Sequence, residues 1–328
     1  MIRDRHQVIW AAWLIVTAIS SASFGGTIRH DRMDSLYTGL SSDYASVGFI
    51  VVGSGAGSGV LVAPDWVLTA AHVAADAQST ADVLVLFGAD PISELIDGTG
   101  TLYDVNQIRL HPKWTGHAED GYDLALIHLS SPVFGIAPAT RYRGSAEIGH
   151  VGTYVGYGAP GDGLTGFDAS SAGIRRAGNN VIDGNASLIR GELNSDEAAA
   201  QLLLSDFDDP PTGPGYTKGT RNLLGSATAL DLEYSLAPGD SGGGLFITDA
   251  GVPYLAGIHS FIDALPAPAG DGVLDASYSD LSGSTRLSGI SNDWIDSVVP
   301  EPAGLTLLLA ALAIVAPRRR SARPVKSR

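Results

Sequence analysis

The sequence contains no cysteine. That excludes a disulfide scaffold, a thiolate metal site and a cysteine nucleophile. Charged residues are only 17% of the chain and aromatics 7%, whereas glycine supplies 41 of 328 positions. With 45% apolar residues the chain is too hydrophobic to stay disordered, and so much glycine implies many turns, as in a mostly β protein. The two apolar runs near the ends, residues 8–19 and 303–316, are shorter than the ~20 residues a membrane-crossing helix needs. Positive charge is scarce too. There are 20 Lys and Arg against 35 Asp and Glu, a net charge of −15. Several of the basic residues crowd the last stretch of the chain, so its body is more acidic still. Such a body repels nucleic acid and anionic lipid, and no nucleic-acid partner is expected.

The termini carry their own patterns. Arg3 and Arg5 precede the apolar run 8–19, and small residues follow to Gly26. That is the layout of a cleaved signal peptide over residues 1–26, removed by signal peptidase. At the other end, Val299-Pro300-Glu301-Pro302 leads into the apolar run 303–316 and then Arg318, Arg319 and Arg320. This arrangement resembles the PEP-CTERM sorting tag of Gram-negative bacteria. The resemblance implies that residues 299–328 are a sorting signal cut by an exosortase. It also implies a protein that is secreted or held at the cell surface or extracellular matrix of a Gram-negative bacterium. A helix over 303–316 rises about 21 Å, short of the ~30 Å hydrocarbon core, so membrane contact through it is expected to be transient. The arginines would stay cytoplasmic.

Residues 27–298 form the body. Strand-like runs recur at 47–52, 59–62, 66–69, 83–87, 124–129, 151–157, 244–248 and 254–259, with Gly, Pro and Asp between them. This predicts an all-β, antiparallel sandwich or barrel. Residues 195–204 have a helical composition, 206–215 read as a Pro/Gly/Asp loop, and 291–298 as a short helix capped by Ser291 or Asn292.

Three segments carry chemistry. They are Thr69-Ala70-Ala71-His72, Asp123-Leu124-Ala125-Leu126 and Gly239-Asp240-Ser241-Gly242-Gly243. Each alone is weak. The last also fits the nucleophile elbow of α/β-hydrolases, but that fold needs its acid and histidine after the serine. Here a well-formed His and Asp come before it, in the order His, Asp, Ser. Together the three resemble the signatures of trypsin/chymotrypsin-like serine proteases. Lesser matches extend the resemblance over about residues 44–298, among them Val155-Gly156-Tyr157-Gly158 in mid-chain and Trp294-Ile295 near the end.

The resemblance implies two antiparallel six-stranded β-barrels with a short C-terminal helix, and a site between the barrels. Ser241 would be the nucleophile, His72 its base and Asp123 the group that orients the imidazole, because a serine hydroxyl is inert until a base takes its proton. The N–H groups of Gly239 and Ser241 would form the oxyanion hole. Asp240 resembles the acid that pairs with a new N-terminal amine. The usual Ile-Val-Gly-Gly start is absent, and Thr27-Ile28 is the nearest candidate.

The specificity pocket would hold Ser235, Ser260, Phe261 and Ile262. Ser235, where trypsins carry Asp, supplies no charge, and Ile262 stands where the family has Gly. The expectation is a serine endopeptidase acting on protein or peptide substrates after small or medium apolar residues. An inactive trypsin-fold binding protein at the cell surface is the alternative, and a surface structural protein with a vestigial domain a third reading. His111 and His259 are not expected to be catalytic. No cofactor is expected and no metal is assigned. The close carboxylates Asp206, Asp208 and Asp209, and Asp271, Asp275 and Asp280, leave a structural calcium ion open beside the plainer reading of solvated acidic turns.

Overall fold

Strands with apolar residues on both faces need a partner on both sides. The first strands of the body have that character, and a computed structural model gives them two partners. The structure describes residues 26–168, 173–185, 196–210, 224–226, 228–264 and 271–299. The short strand β1 (Thr27–Ile28) and helix α1 (Asp34–Ser41) come first. A closed barrel follows: β2 (Val47–Val52), β3 (Gly55–Ala63), β4 (Trp66–Thr69), β5 (Val83–Leu86), β6 (Leu102–Leu110) and β7 (Ala125–Leu129), in the order β2-β3-β4-β7-β6-β5. Helices α2 (Ala71–Ala75) and α3 (Pro91–Ile96) lie in its connections.

The period-two alternation sorts the side chains of these strands. Ile50, Leu61, Val67, Val85 and Ile127 pack into a cluster made by the first barrel alone. Their neighbours Phe49, Val60, Leu68 and Leu126 pack against Val155, Tyr157, Phe246 and Ile258 of the second half. The joint between the halves is therefore as apolar as the barrel's own core.

The second half is a six-stranded antiparallel sheet in the order β11-β8-β14-β15-β16-β12. Its strands are β8 (Val151–Gly156), β11 (Arg176–Val181), β12 (Leu202–Asp206), β14 (Gly244–Asp249), β15 (Val252–Asp263) and β16 (Leu281–Arg286). The sheet curls, and its edges meet through the bridge Gly184↔Leu204 beyond the end of β11 and through the Asn180 amide, which donates to the Asp206 carbonyl at 2.7 Å. The expected second barrel is thus a curled sheet rather than a continuous closed ladder. A small sheet caps it, in the order β10-β9-β1-β13, from β9 (Gly161–Asp162), β10 (Gly166–Phe167), β13 (Tyr234–Ser235) and β1.

Local expectations need three corrections. Helix α4 (Asp196–Ala200) covers only the first part of 195–204. Leu202-Leu203-Leu204 belong to β12, because pairing with β16 and burial outweigh helical propensity. The terminal helix α5 (Ile290–Val298) is entered through Gly289, at φ +69°, without a side-chain cap. Asn292 is instead spent on tertiary bonds, accepting from Arg141 at 2.8 Å and donating to the Tyr142 carbonyl at 2.7 Å. No described helix is long and apolar enough to cross a membrane. The expected signal peptide up to residue 25, and the tail from residue 300, lie outside the described residues.

Candidate active site

The barrel joint brings the chemistry-bearing segments together. Strand β4 ends at Thr69, and the chain turns at Ala70 into α2, which carries His72 in its first turn. Asp123 directly precedes Leu124 and β7, the strand paired with β4. The Asp123 carboxylate is fully buried, while the His72 side chain is 37% exposed, so the acid is sealed and the base is reachable.

Three donors converge on Asp123. The His72 main-chain N–H reaches Oδ1 at 2.9 Å, the His72 ring Nδ1 reaches Oδ2 at 2.7 Å and the Ser260 hydroxyl reaches Oδ2 at 2.6 Å. Three donors on one buried carboxylate fill its accepting positions and hold it in place. With Nδ1–H given to Asp123, the imidazole lone pair lies on Nε2, facing away from the acid. Ser260 was expected only as a pocket residue. Its hydroxyl also belongs to the Asp123 set.

The Ser241 loop reaches across from the other half. Ser58 on β3 is the link: its N–H donates to the Ser241 carbonyl at 2.8 Å and its hydroxyl to the Gly239 carbonyl at 2.9 Å. Tyr157 N–H in turn donates to the Ser58 hydroxyl at 3.0 Å. Gly242, at φ +85°, lies so close to the first barrel that a Cβ there would sit 2.1 Å from Thr69 Oγ1 and 2.2 Å from the Ser58 carbonyl. The loop therefore abuts the strand end from which His72 departs. Ser58 carried no signal in the sequence, since its bonds depend on a register between distant strands.

The loop's amides divide into two sets. Those of Asp240, Gly242 and Gly243 donate to the carbonyls of Ala237, His259 and Asp240. Among the described residues, the N–H groups of Gly239 and Ser241 have no acceptor in the protein. These are the two that an oxyanion would need.

Asp240 is fully buried behind the loop. Its carboxylate accepts from Gly158 N–H at 2.8 Å, from Ala237 N–H at 3.0 Å and from the Tyr234 hydroxyl at 3.2 Å to each oxygen. Burial raises its pKa to about 6, against these donors and the Arg176 charge, which lower it. Gly156 and Gly158 make room, since a Cβ at either would stand 2.2 Å or 2.4 Å from the carboxylate oxygens. That explains the glycines of the 155–158 motif. Thr27-Ile28 was expected to approach Asp240. It forms β1 beside Tyr234 and Ser235, and the group touching the carboxylate is the Tyr234 phenol.

A cavity of 220 Å³ opens beside Ser241, lined by Leu236, Ala237, Pro238, Ser260, Phe261 and Ile262. Ser235 is corrected from this set. It is fully buried one layer behind, with its hydroxyl 3.1 Å from that of Ser282. Ile262 packs toward Ala237 and Ala276, and fills space that a glycine would leave open.

Two other histidines stand apart. Val155 N–H donates to Nε2 of buried His259 at 3.2 Å, and its Nδ1 lies 3.1 Å from the Ser284 hydroxyl. Burial lowers its pKa to about 3, so the ring is neutral. His111 is stacked on Tyr122, its pKa lowered to about 4 by burial.

Among the described residues no group of three or more His, Cys, Asp or Glu is arranged to hold a metal ion. Asp280 accepts from the main-chain N–H of Asp275 and Ala276, and Asp208 and Asp209 are buried.

Residues 39–179 match the family model described as Trypsin, a stretch that contains His72 and Asp123 and ends before the Ser241 loop. Over that stretch, on a chymotrypsin-like fold, the chain is similar to serine proteases of the trypsin/chymotrypsin type.

Proposed function

We propose that the chain is a secreted serine endopeptidase that cuts after small or medium apolar residues through an acyl-enzyme on Ser241. The observation that carries this reading is the buried Asp123 carboxylate, bonded at once to the His72 main chain, the His72 ring and Ser260. That arrangement ties Nδ1 to the acid and fixes the orientation of the ring, on a His72 side chain that stays 37% exposed.

The chemistry proposed for these residues is acyl transfer. His72 Nε2 takes the Ser241 hydroxyl proton as Oγ bonds to the scissile carbonyl carbon. The carbonyl oxygen becomes an oxyanion, met by the N–H groups of Gly239 and Ser241. The resulting imidazolium is stabilised by the Asp123 side chain bonded to its Nδ1. Collapse breaks the C–N bond, and His72 returns the proton to the leaving amine. Water then repeats the sequence on the acyl-enzyme, with His72 as base, and releases the new carboxylate and Ser241.

The cavity beside Ser241 has apolar walls in Leu236, Ala237, Pro238 and Ile262, which favour an apolar side chain over a charged one, and Ile262 takes up part of the space a glycine would leave. Processing by signal peptidase and an exosortase, and a location outside a Gram-negative cell, complete the proposal. They rest on the terminal sequences alone. Profiling of the secreted protein on a peptide library tests the reading. Cleavage dominated by small or medium apolar residues such as Ala or Val before the cut is expected, and a profile dominated by Arg or Lys would overturn the pocket assignment.

A further inference from the structure

We infer that the Tyr234 phenol is a positioning residue for the catalytic loop: by bonding Asp240 it holds the Gly239–Ser241 turn in shape without any newly cut chain terminus. The inference rests on the endopeptidase reading above and concerns how that site is held in its working form.

Tyr234 is fully buried, and its hydroxyl lies 3.2 Å from both oxygens of Asp240. Asp240 is the central residue of the turn whose two flanking amides, of Gly239 and Ser241, have no acceptor among the described residues. With Ala237 and Gly158 N–H also bonded, the carboxylate has donors on both oxygens from within the fold. The surroundings are cut to fit the ring. A Cβ on Gly178 would lie 2.4 Å from the Tyr234 Cβ. Strand β1 closes over the same side chain, with Ile28 registered opposite Tyr234.

A buried carboxylate needs a donor that does not itself lose a proton. Burial, with Asp240 beside it, raises the phenol's pKa well above the usual value, so it stays a donor at every working pH. The other charged groups in range are Arg176 on β11, which favours the ionised carboxylate, and Asp34 on α1, which pairs with Arg176. All three donors suit ionised Asp240. A protonated carboxyl group would turn an O–H toward one of them and loosen the turn.

The test compares wild type, Ser241→Ala and Tyr234→Phe on one peptide substrate across pH, with thermal unfolding followed in parallel. Wild-type turnover that disappears in Ser241→Ala establishes the underlying reading. Tyr234→Phe keeps the ring and its packing but removes the donor. The expected result is a kcat lower by about tenfold to a hundredfold, the range spanned by a lost hydrogen bond to a buried charge, at nearly unchanged KM. Its acid limb should also move to higher pH, because Asp240 loses a group that favours ionisation. A purely structural role would lower the unfolding temperature and leave the acid limb in place.

A second measurement uses wild type carrying an uncleavable extension ahead of Thr27. It should retain full kcat. Tyr234→Phe with wild-type kcat and acid limb would overturn the inference, and so would an extended enzyme that is inactive until the extension is cut. A wild type with no turnover would overturn the endopeptidase reading itself, and this inference with it.

Discussion

Replacing Asp123 by Asn changes one atom and reverses the logic of the site. A carboxylate accepts from all three of its neighbours, whereas an amide has one accepting oxygen and two donor hydrogens. The His72 main-chain N–H, at 2.9 Å from Oδ1, cannot turn around, so it claims the amide oxygen. The amide nitrogen then faces His72 Nδ1, now bonded at 2.7 Å, and the Ser260 hydroxyl, which can rotate to accept. Nδ1 must become an acceptor, which moves the imidazole proton to Nε2. That nitrogen can no longer take the Ser241 proton. A wrong-tautomer base of this kind costs about 10⁴-fold in kcat, or about 5.5 kcal/mol of barrier. KM should change little, because the cavity beside Ser241 is untouched. Folding should also change little, since each buried polar group still finds a partner. Steady-state kinetics beside a thermal melt makes the comparison. A kcat within about tenfold of wild type would refute the claim that Asp123 sets the His72 tautomer.

Other perturbations reach other parts of the account. Gly242→Ala should abolish activity and lower the unfolding temperature, because its Cβ would overlap Thr69 Oγ1 and the Ser58 carbonyl at a φ of +85°; a melt and an activity assay read both. Ile262→Ala should shift preference toward larger apolar residues before the cut, since about 1–3 kcal/mol of discrimination rides on each methylene a pocket admits or excludes; kcat/KM for Leu against Ala substrates measures it. Stability should fall from about pH 5 to pH 9. Burial chiefly, with neighbouring carboxylates, raises the pKa of Asp208 and Asp280 to about 7 and that of Glu233 to about 9. Raised carboxyl groups stabilise the fold fully below their ordinary pKa near 4, and that contribution is lost as pH passes each folded value. Urea midpoints across that range test this, and a midpoint that rises with pH would contradict it.

Much of this fold was legible where strands are apolar on both faces. β2, β4 and β7 read as strands because one face fills a barrel and the other fills the joint between the halves. β6 and β11 were not legible as strands, and of β16 only the end at Thr285-Arg286 was, through the likeness of 285–288 to a last strand. The sequence Arg-Ala-Gly-Asn-Asn-Val of β11 and Leu-Ser-Gly-Ser-Thr-Arg of β16 have little apolar periodicity, and become strands because β8 and β15 offer them a ladder. Residues 202–206 looked helical for the converse reason, as leucine suits either state until a partner strand selects one. In the site, the chain order of His72, Asp123 and Ser241 was readable because each lies in a distinctive local motif. Ser58 and Tyr234 were not. Ser58 acts through a contact between halves, and Tyr234 through a reach of six positions along the chain to Asp240, shaped by glycines at 156, 158 and 178. Ser235 was assigned to the pocket by its spacing from Ser241, yet β13 turns it inward toward Ser282.

The central claim is that Ser241 is a nucleophile activated by His72. Reaction of the secreted protein with a fluorophosphonate, followed by mass mapping of the adduct, tests it most directly. The account predicts one adduct, on Ser241, absent in Ser241→Ala and strongly slowed in Asp123→Asn. An unreactive wild type, or an adduct on another serine, would contradict it.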